Sequence, residues 1–435
     1  MTVSKSGGRK ISKREFIRMS GIAAGAGMLT SACGPARLEE NERNVQPVLD
    51  RITDDAAPIA VEERLARIAK AQALMSVHEI AAIIVEPGSA MLYYSGIRWW
   101  RSERLTALVI PREGEIAIVT PYFEEPSVRE SMTFGDDVRP WHEHEDPFAL
   151  LAGVLEDRGT DSGRIGLEET VRYFVVDGLQ RAAPKFGLAS ATPVTRGCRM
   201  YKSQNEIALM KKASEVTLRA YQQVYTNLAS GMTPADVNAL MYDAQASLGG
   251  SNIWNMALFG PASAYPHGTD QPQQIEEGQI VLMDCGCSVH GYQSDISRTF
   301  VFGEPSPRQR EVWNTVRKGQ QIAFDTAKLG TPAGEIDDAV RSYYVSLGYG
   351  PGYATPGLSH RTGHGIGMDG HEHVNFVHGE TTKLAPGMCF SNEPGIYIFD
   401  EFGVRLEDCI YMTDDGPAWF TVPPDSVDAP IGRPG

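Results

Sequence analysis

Two stretches of the 435-residue chain, about a hundred residues apart, open in the same way. In each, a capped long helix leads into a second helix and then into β-rich sequence. Ser203 and Glu206 form a capping box at the head of the first long helix, each side chain meeting the other's backbone N–H. Thr233 caps the next helix, with Pro234 at its first position. Ser306, Pro307 and Gln309 repeat the first signal; Thr-Pro-Ala at 233–235 returns at 331–333, and Ser-Leu-Gly at 247–249 returns at 346–348. Recurrence in the same order marks an internal duplication. The fold class that follows is α+β: two like halves whose strands form one sheet, with a cleft between the halves.

Each half carries a β-hairpin with two acids. Residues 279–303, QIVLMDCGCSVHGYQSDISRTFVFG, read as an apolar strand, a short polar turn and an alternating return strand. Asp284 ends the apolar run, where a charge is costly unless paired or liganded. A turn centred on Val289–His290 sets Asp284 opposite Asp295, with β-carbons about 5 Å apart. Residues 388–413 form the second hairpin, and a turn centred on Asp400 sets Glu393 opposite Glu407. Arg405 shares the face of Glu407 by the two-residue period and can pin a carboxylate. Carboxylates so placed repel one another unless a cation or a proton lies between them.

Between the hairpins lies HRTGHGIGMDGHEH, residues 360–373, with four of the chain's ten histidines. Glycines at 363, 365, 367 and 370 make a poor helix, so this is not a helical zinc motif; they suggest bare backbone against the cleft. Four carboxylates and an imidazole suit Mn²⁺, Co²⁺ or Fe²⁺, and less often Zn²⁺. A site of that size holds two ions about 3.5–4 Å apart. Cys285 and Cys287 flank a glycine; buried small residues on a strand are the favoured reading and a thiolate pair the alternative.

The first 200 residues have a different texture. Lys5, Arg9, Lys10, Lys13, Arg14 and Arg18 precede the small, weakly apolar run GIAAGAGMLTSAC, the pattern of an export signal over 1–33. SKREFIR at 12–18 resembles a twin-arginine signal with lysine in place of the first arginine, which implies a periplasmic or envelope location. Ser-Ala-Cys at 31–33 resembles a lipobox with Thr30 where leucine is usual, so lipidation of Cys33 and membrane attachment are the alternative to release. Residues 34–60 read as a linker, 61–196 as an α/β domain and 197–425 as the duplicated domain. After the signal no run approaches the roughly 20 apolar residues of a membrane span. The net charge of −15 argues against a nucleic-acid partner.

These motifs resemble those of the pita-bread metallopeptidases, the family of methionine aminopeptidase, aminopeptidase P and prolidase. DCG and SDISRTF, whose aspartates stand eleven residues apart, look like its first two ligand segments, TGHGIGMDGHE like its histidine segment, and SNEPGIY and GVRLED like its glutamate segments. The α/β domain looks like the creatinase-type domain of the Xaa-Pro branch. The resemblance implies metal ligands at Asp284, Asp295, His364, Glu393 and Glu407, with Asp295 and Glu407 bridging two ions whose shared water is the nucleophile. It also implies Glu393 as general base, His371 as oxyanion donor, and substrate contacts at His267 and His360. A homodimer acting on dipeptides or short peptides, as dipeptidase or aminopeptidase, is implied too. His290, His373 and His378 take no role from it. The arginine with which many prolidases hold a dipeptide's carboxylate has no counterpart in 372–392, where Lys383 is the one fixed cation. Arg98, Arg101 and Arg104 of RWWRSER are candidates for the cleft rim, with a solvated loop as the plainer reading. Besides an Xaa-Pro peptidase, the ligand set allows a metal-dependent hydrolase or lyase of a small metabolite, since fold does not fix function. A non-catalytic binding module fits less well, because no ligand position is lost.

Overall fold

The computed structural model describes residues 49–435. The expected export segment with Cys33, and most of the linker, lie outside the described residues.

The first domain is a six-stranded sheet with helices on both faces. Its strands are β1 (Ile80–Val85), β2 (Ala107–Pro111), β3 (Ala117–Pro121), β4 (Val138–Trp141), β5 (Gly163–Leu167) and β6 (Phe186–Ser190), in the order β4-β3-β2-β1-β5-β6. Strand β1, IAAIIV, is buried at every position, as a strand covered on both faces must be. Ala82 and Ile84 join the core under α4 (Pro147–Asp157) and α5 (Tyr173–Ala182). Ile83 and Val85 join the core shared by α1 (Val61–Val77), α2 (Ser89–Ser95) and the second domain. Helix α3 (Glu125–Ser131) lies beside β3 and β4, and α6 (Thr192–Arg199) leads to α7 (Gln204–Asn227), so the boundary expected at 196 falls inside α6.

The second domain carries the duplication. The capping boxes of α7 and α9 (Pro307–Thr326) form as expected, and Thr233 boxes with Asp236 at α8 (Pro234–Leu248). Helices α7 and α8 back the sheet β10-β8-β7, made of β7 (Ser251–Phe259), β8 (Ile280–Val289) and β10 (Ile296–Val301), with β9 (Tyr292–Gln293) on β8. Helices α9 and α10 (Ala333–Ser346) share the other core with β12-β11-β13-β16-β17. Those strands are β11 (Gly363–Gly365), β12 (Glu372–Phe376), β13 (Cys389–Asn392), β16 (Asp408–Thr413) and β17 (Gly416–Trp419), while β14 (Gly395–Ile398) and β15 (Phe402–Arg405) pair apart. The single sheet expected is thus broken into pieces. The breaks fall at Ser294–Asp295, Glu393–Pro394 and Leu406–Glu407, where the chain leaves its ladder at three of the acids.

The halves are stitched together beside those breaks. The Glu407 N–H donates to the Ser297 carbonyl at 3.1 Å, and the Arg405 N–H to Thr299 Oγ1 at 3.1 Å. Arg298 of β10 and Asp408 of β16 form a fully buried ion pair at 2.7 Å, and the Arg298 guanidinium also donates to the carbonyls of Glu407 and Ile431. The chain end beyond 425 therefore packs into this domain. The last part of the expected linker is likewise ordered against it: the Ile52 N–H donates to the Leu248 carbonyl at 3.0 Å, and Thr53 and Ile59 are buried.

A third strut ties α6 to the histidine segment. Glu372, nearly buried, accepts from Arg199 at 2.6 Å and Lys202 at 2.8 Å. Burial alone would raise its carboxyl, but the two cations outweigh that and lower it from 4.5 to about 2. A depressed carboxyl contributes stability that is present above the unfolded value and lost as pH falls through the folded one. Glu372→Gln is therefore expected to lower unfolding free energy by about 3 kcal/mol at neutral pH, a difference that shrinks between about pH 4.5 and pH 2 in urea titrations. Arg298→Leu leaves Asp408 buried and unpaired and costs about 3–5 kcal/mol. Restoring neutrality with Arg298→Leu/Asp408→Leu is expected to regain part of that loss, read as the denaturation midpoint.

Candidate metal centre and catalytic cleft

The two hairpins reach the cleft by different registers. In the second, Gly395 pairs with Arg405, Asn392 with Asp408 and Cys389 with Tyr411, the register that sets Glu393 opposite Glu407 about Asp400. Asp400 takes a left-handed φ of 67°, as a three-residue loop needs. In the first hairpin the turn is one residue later than expected. Val289 pairs with Tyr292, and His290 and Gly291 form the turn with φ of 49° and 92°. β-Branched Val289 is poorly suited to a left-handed turn position, whereas glycine at 291 takes it without strain. Asp284 consequently pairs with Ser297, not with Asp295. The pairing shifts by two, so Asp295 stays on the Asp284 face as a diagonal neighbour.

All five expected ligands line one cavity of about 590 Å³, together with His267, His360, His371 and Arg405. Ligand atoms of Asp295, His364 and Glu407 lie within 4.8 Å of one another. His364 Nδ1 donates to the Gly365 carbonyl at 3.0 Å, which leaves Nε2 to face Glu393 Oε1 at 3.2 Å and Asp295 Oδ2 at 3.7 Å. Asp284 is held by Arg405 Nη2 at 2.6 Å. The Ser297 hydroxyl sits 2.9 Å from Asp284 Oδ1 and 2.7 Å from Glu407 Oε2, yet it has one proton to give. Glu407 Oε1 is buried with no hydrogen-bond partner among the described residues.

This arrangement is electrostatically incomplete. Burial, then the neighbouring carboxylates, push the Asp295 and Glu407 carboxyls well above the ordinary carboxylate range. Burial would raise Glu393 too, but the hydrogen bond and charge of His364, with His360 and Arg405, hold it down at about 2. An orphaned carboxylate oxygen, two acids forced toward protonation and an imidazole nitrogen aimed at them fit a divalent-cation site. The thiols do not contribute: Cys285 and Cys287 are buried, burial pushing Cys285 up strongly and Cys287 to about 11.

The histidines divide as their partners dictate. The His371 ring stands edge-on to His364 at 4.1 Å between centroids, and burial, with His364 and Arg361, lowers it to about 4. It is neutral at neutral pH and can donate an N–H. His360 Nδ1 donates to the Arg361 carbonyl, so its Nε2 accepts from the Tyr397 hydroxyl at 2.7 Å. Tyr397 in turn accepts from Arg405 at 3.1 Å. His267 is exposed on the cleft wall. His290 and His378 bind the Ala56 carbonyl and Asp338, and His373 lines a separate side cavity.

One candidate set falls away and one expectation is corrected. Arg98, Arg101 and Arg104 do not line the cleft of this chain: Arg101 donates to Pro87 and Thr170, Arg104 to Glu143, and Arg98 lines another cavity. Of the four glycines, Gly370 alone lines the cleft; a β-carbon on Gly363 would lie 2.1 Å from the Ser391 carbonyl, Gly365 is closed off by the backbone of Glu372 and His373, and Gly367 by the side chains of Lys202 and Glu372. The cleft also holds Arg361, Trp254, Met256 and Tyr353, and Tyr397 stands behind it. Arg361 was visible one position from His360, where a cation among ligands is a signal in itself.

With the geometry described, comparison places the chain among known proteins. Residues 208–414 match metallopeptidase family M24, and residues 67–201 match the creatinase/prolidase N-terminal domain. A probable dipeptidase, PepE, of Mycobacterium tuberculosis is 32% identical over 354 residues, 80% of this chain and 92% of its own length. An Xaa-Pro dipeptidase of Lactobacillus delbrueckii is 32% identical over 335 residues, 76% of this chain and 89% of its own. The crystal structure of dipeptidase PepE from Mycobacterium ulcerans superposes with a TM-score of 0.78 at 32% identity, over 85% of this chain and 98% of that one. A prolidase from Thermococcus sibiricus gives 0.76 at 28%, over 84% and 97%. The chain belongs to metallopeptidase family M24.

Proposed function

We propose that the chain is a divalent-metal-dependent exopeptidase that hydrolyses the Xaa-Pro bond, with dipeptides as the preferred substrates. The observation that carries the reading is the cluster of Asp295, His364 and Glu407 in a cavity that also holds Asp284, Glu393 and His371. The dipeptidase and Xaa-Pro dipeptidase relatives support the substrate class.

Bound divalent ions, Mn²⁺ first among them, supply Lewis acidity and a water of lowered pKa. The residues do the rest. Glu393, whose carboxyl lies in the cavity beside the His364 imidazole, takes the proton of the attacking water and returns it to the departing proline nitrogen. As with any amide, that nitrogen leaves as an amine only once it is protonated, so the same carboxyl serves as base and then as acid. His371 donates its N–H to the carbonyl oxygen as negative charge develops there. Arg405 fixes Asp284, and through Tyr397 it fixes the tautomer of His360, which with His267 borders the substrate. Export through the amino-terminal signal, with or without lipidation of Cys33, and a homodimeric assembly belong to the same reading; cell fractionation and sedimentation test them.

With Mn²⁺ or Co²⁺ present, the protein is expected to release free amino acid from Xaa-Pro dipeptides, and Asp295→Ala to lower the rate by more than about a hundredfold. No turnover of any Xaa-Pro substrate by metal-loaded protein refutes the proposal. Independently of activity, Mn²⁺ at about 100 times its Kd is expected to stabilise the fold by about 2.7 kcal/mol in thermal or urea denaturation. That gain should be lost in Glu407→Gln; a variant stabilised as much as the native chain refutes the ligand assignment.

A further inference from the structure

Strand β7 is the edge of its sheet. Among the described residues it pairs with β8 and with no third strand. Its register runs unbroken from Trp254–Gly286 to Phe259–Val281, so backbone groups turn alternately toward β8 and away from it. The Phe259 N–H turns away, because it donates to Gln273 Oε1 at 2.9 Å. By the same alternation the N–H and C=O of Ala257 and Asn255 face outward. No backbone group outside the ladder meets them among the described residues. An open edge of this kind is a template for a further strand.

The edge opens on a groove of about 910 Å³, walled by β7, by the start of α8 and by the loop 267–276. Two more acceptors wait there. Asn238 Oδ1 of α8 and Asn255 Oδ1 are buried with no hydrogen-bond partner among the described residues. Leaving such oxygens unmet is costly, and an N–H donor relieves the cost. The groove adjoins the catalytic cavity, since Met256 and His267 line both. Met256 is the cross-strand partner of Asp284, so the groove starts beside the candidate metal centre. Its charged lining is Asp270 and Glu276, with no lysine or arginine. A free carboxylate is therefore a poor occupant. The fitting ligand offers N–H and C=O groups in an extended row, which is a polypeptide in mid-chain.

We infer that this groove binds, by strand addition to β7, the part of a peptide that continues past proline. The inference rests on the Xaa-Pro reading and extends it. An exopeptidase that removes one residue from the amino end leaves only the carboxyl side of its ligand to run on from the cavity. Dipeptides leave the groove empty, and peptides of four residues or more reach along it.

Four neutral ligands test this: Leu-prolinamide, Leu-Pro-Ala-Ala-NH2, and that longer amide N-methylated at its third or at its fourth residue. Amidation takes the terminal charge out of the comparison. KM and kcat are measured on Mn²⁺-loaded protein, and Kd by calorimetry on chelator-treated protein, where nothing is turned over. The longer amide is expected to bind about tenfold more tightly than Leu-prolinamide, the worth of roughly two backbone hydrogen bonds. The gain should appear in KM and Kd, with kcat little changed. Only alternate N–H groups of an added strand face its neighbour, so one N-methylation should erase the gain and the other spare most of it. Asn238→Ala/Asn255→Ala is expected to lose about threefold or more of the gain while Leu-prolinamide is handled as before.

A wild-type protein that binds both lengths equally overturns the inference, whether water or a second copy of the chain covers the edge. So do two N-methylations that cost the same, and neither result needs a variant to fold. A folded double variant that keeps the whole gain overturns it as well. A length gain in Kd with no turnover of any ligand would count against the Xaa-Pro reading and not against the groove. Turnover of Leu-prolinamide without a length gain would count against the groove alone.

Discussion

Four carboxylates share one cavity, and their mutual repulsion governs what surrounds them. Among the described residues only Asp284 has a fixed cationic partner in Arg405, while Asp295 and Glu407 are driven toward protonation by burial and by neighbouring carboxylates. A fold that buries such a set unaided is working against its own stability. The structure meets that cost with struts at the site's margins. Arg298–Asp408 lies one residue from Glu407, the Ser297 hydroxyl bridges two of the acids, and backbone bonds join the halves at 297 and 407. Divalent ions held there would complete a cavity that protein groups leave unfinished, and their binding would then add to the stability of the fold.

Most of this was legible in the chain. Helix starts at Ser203, Thr233 and Ser306 are local chemistry, written in three or four residues each, and all three form. The register of the second hairpin followed from a loop of odd length. The first hairpin's register did not, because valine and glycine compete for the turn and the two centres differ by a single residue. Parity rescued the outcome, since a pairing shifted by two residues keeps each side chain on its face. What stayed hidden depends on distant chain segments meeting. The glycines at 363 and 365 answer to neighbouring strands, and Tyr397 acts through His360 and Arg405 across the cleft.

The amino-terminal domain is more than an appendage. One face of its sheet shares a core with α7 and β8, and Arg67 of α1 reaches Tyr292 at 3.0 Å and Glu206 at 3.4 Å. Tyr292 belongs to the hairpin that delivers Asp295. Arg199 from α6 meanwhile braces the segment that bears His371. Two segments of the site thus borrow rigidity from the first domain, which supplies no expected metal ligand.

The turn at His290–Gly291 carries a consequence for how such a chain can change. Because side chains alternate along a strand, losing or gaining one residue there would send Asp295 to the opposite face, into the packing beneath the sheet. Exchanging one turn residue for another leaves the alternation intact. A substitution in that loop is therefore easier to absorb than a change in its length, because the count of residues between Asp284 and Asp295 sets the face on which Asp295 lies.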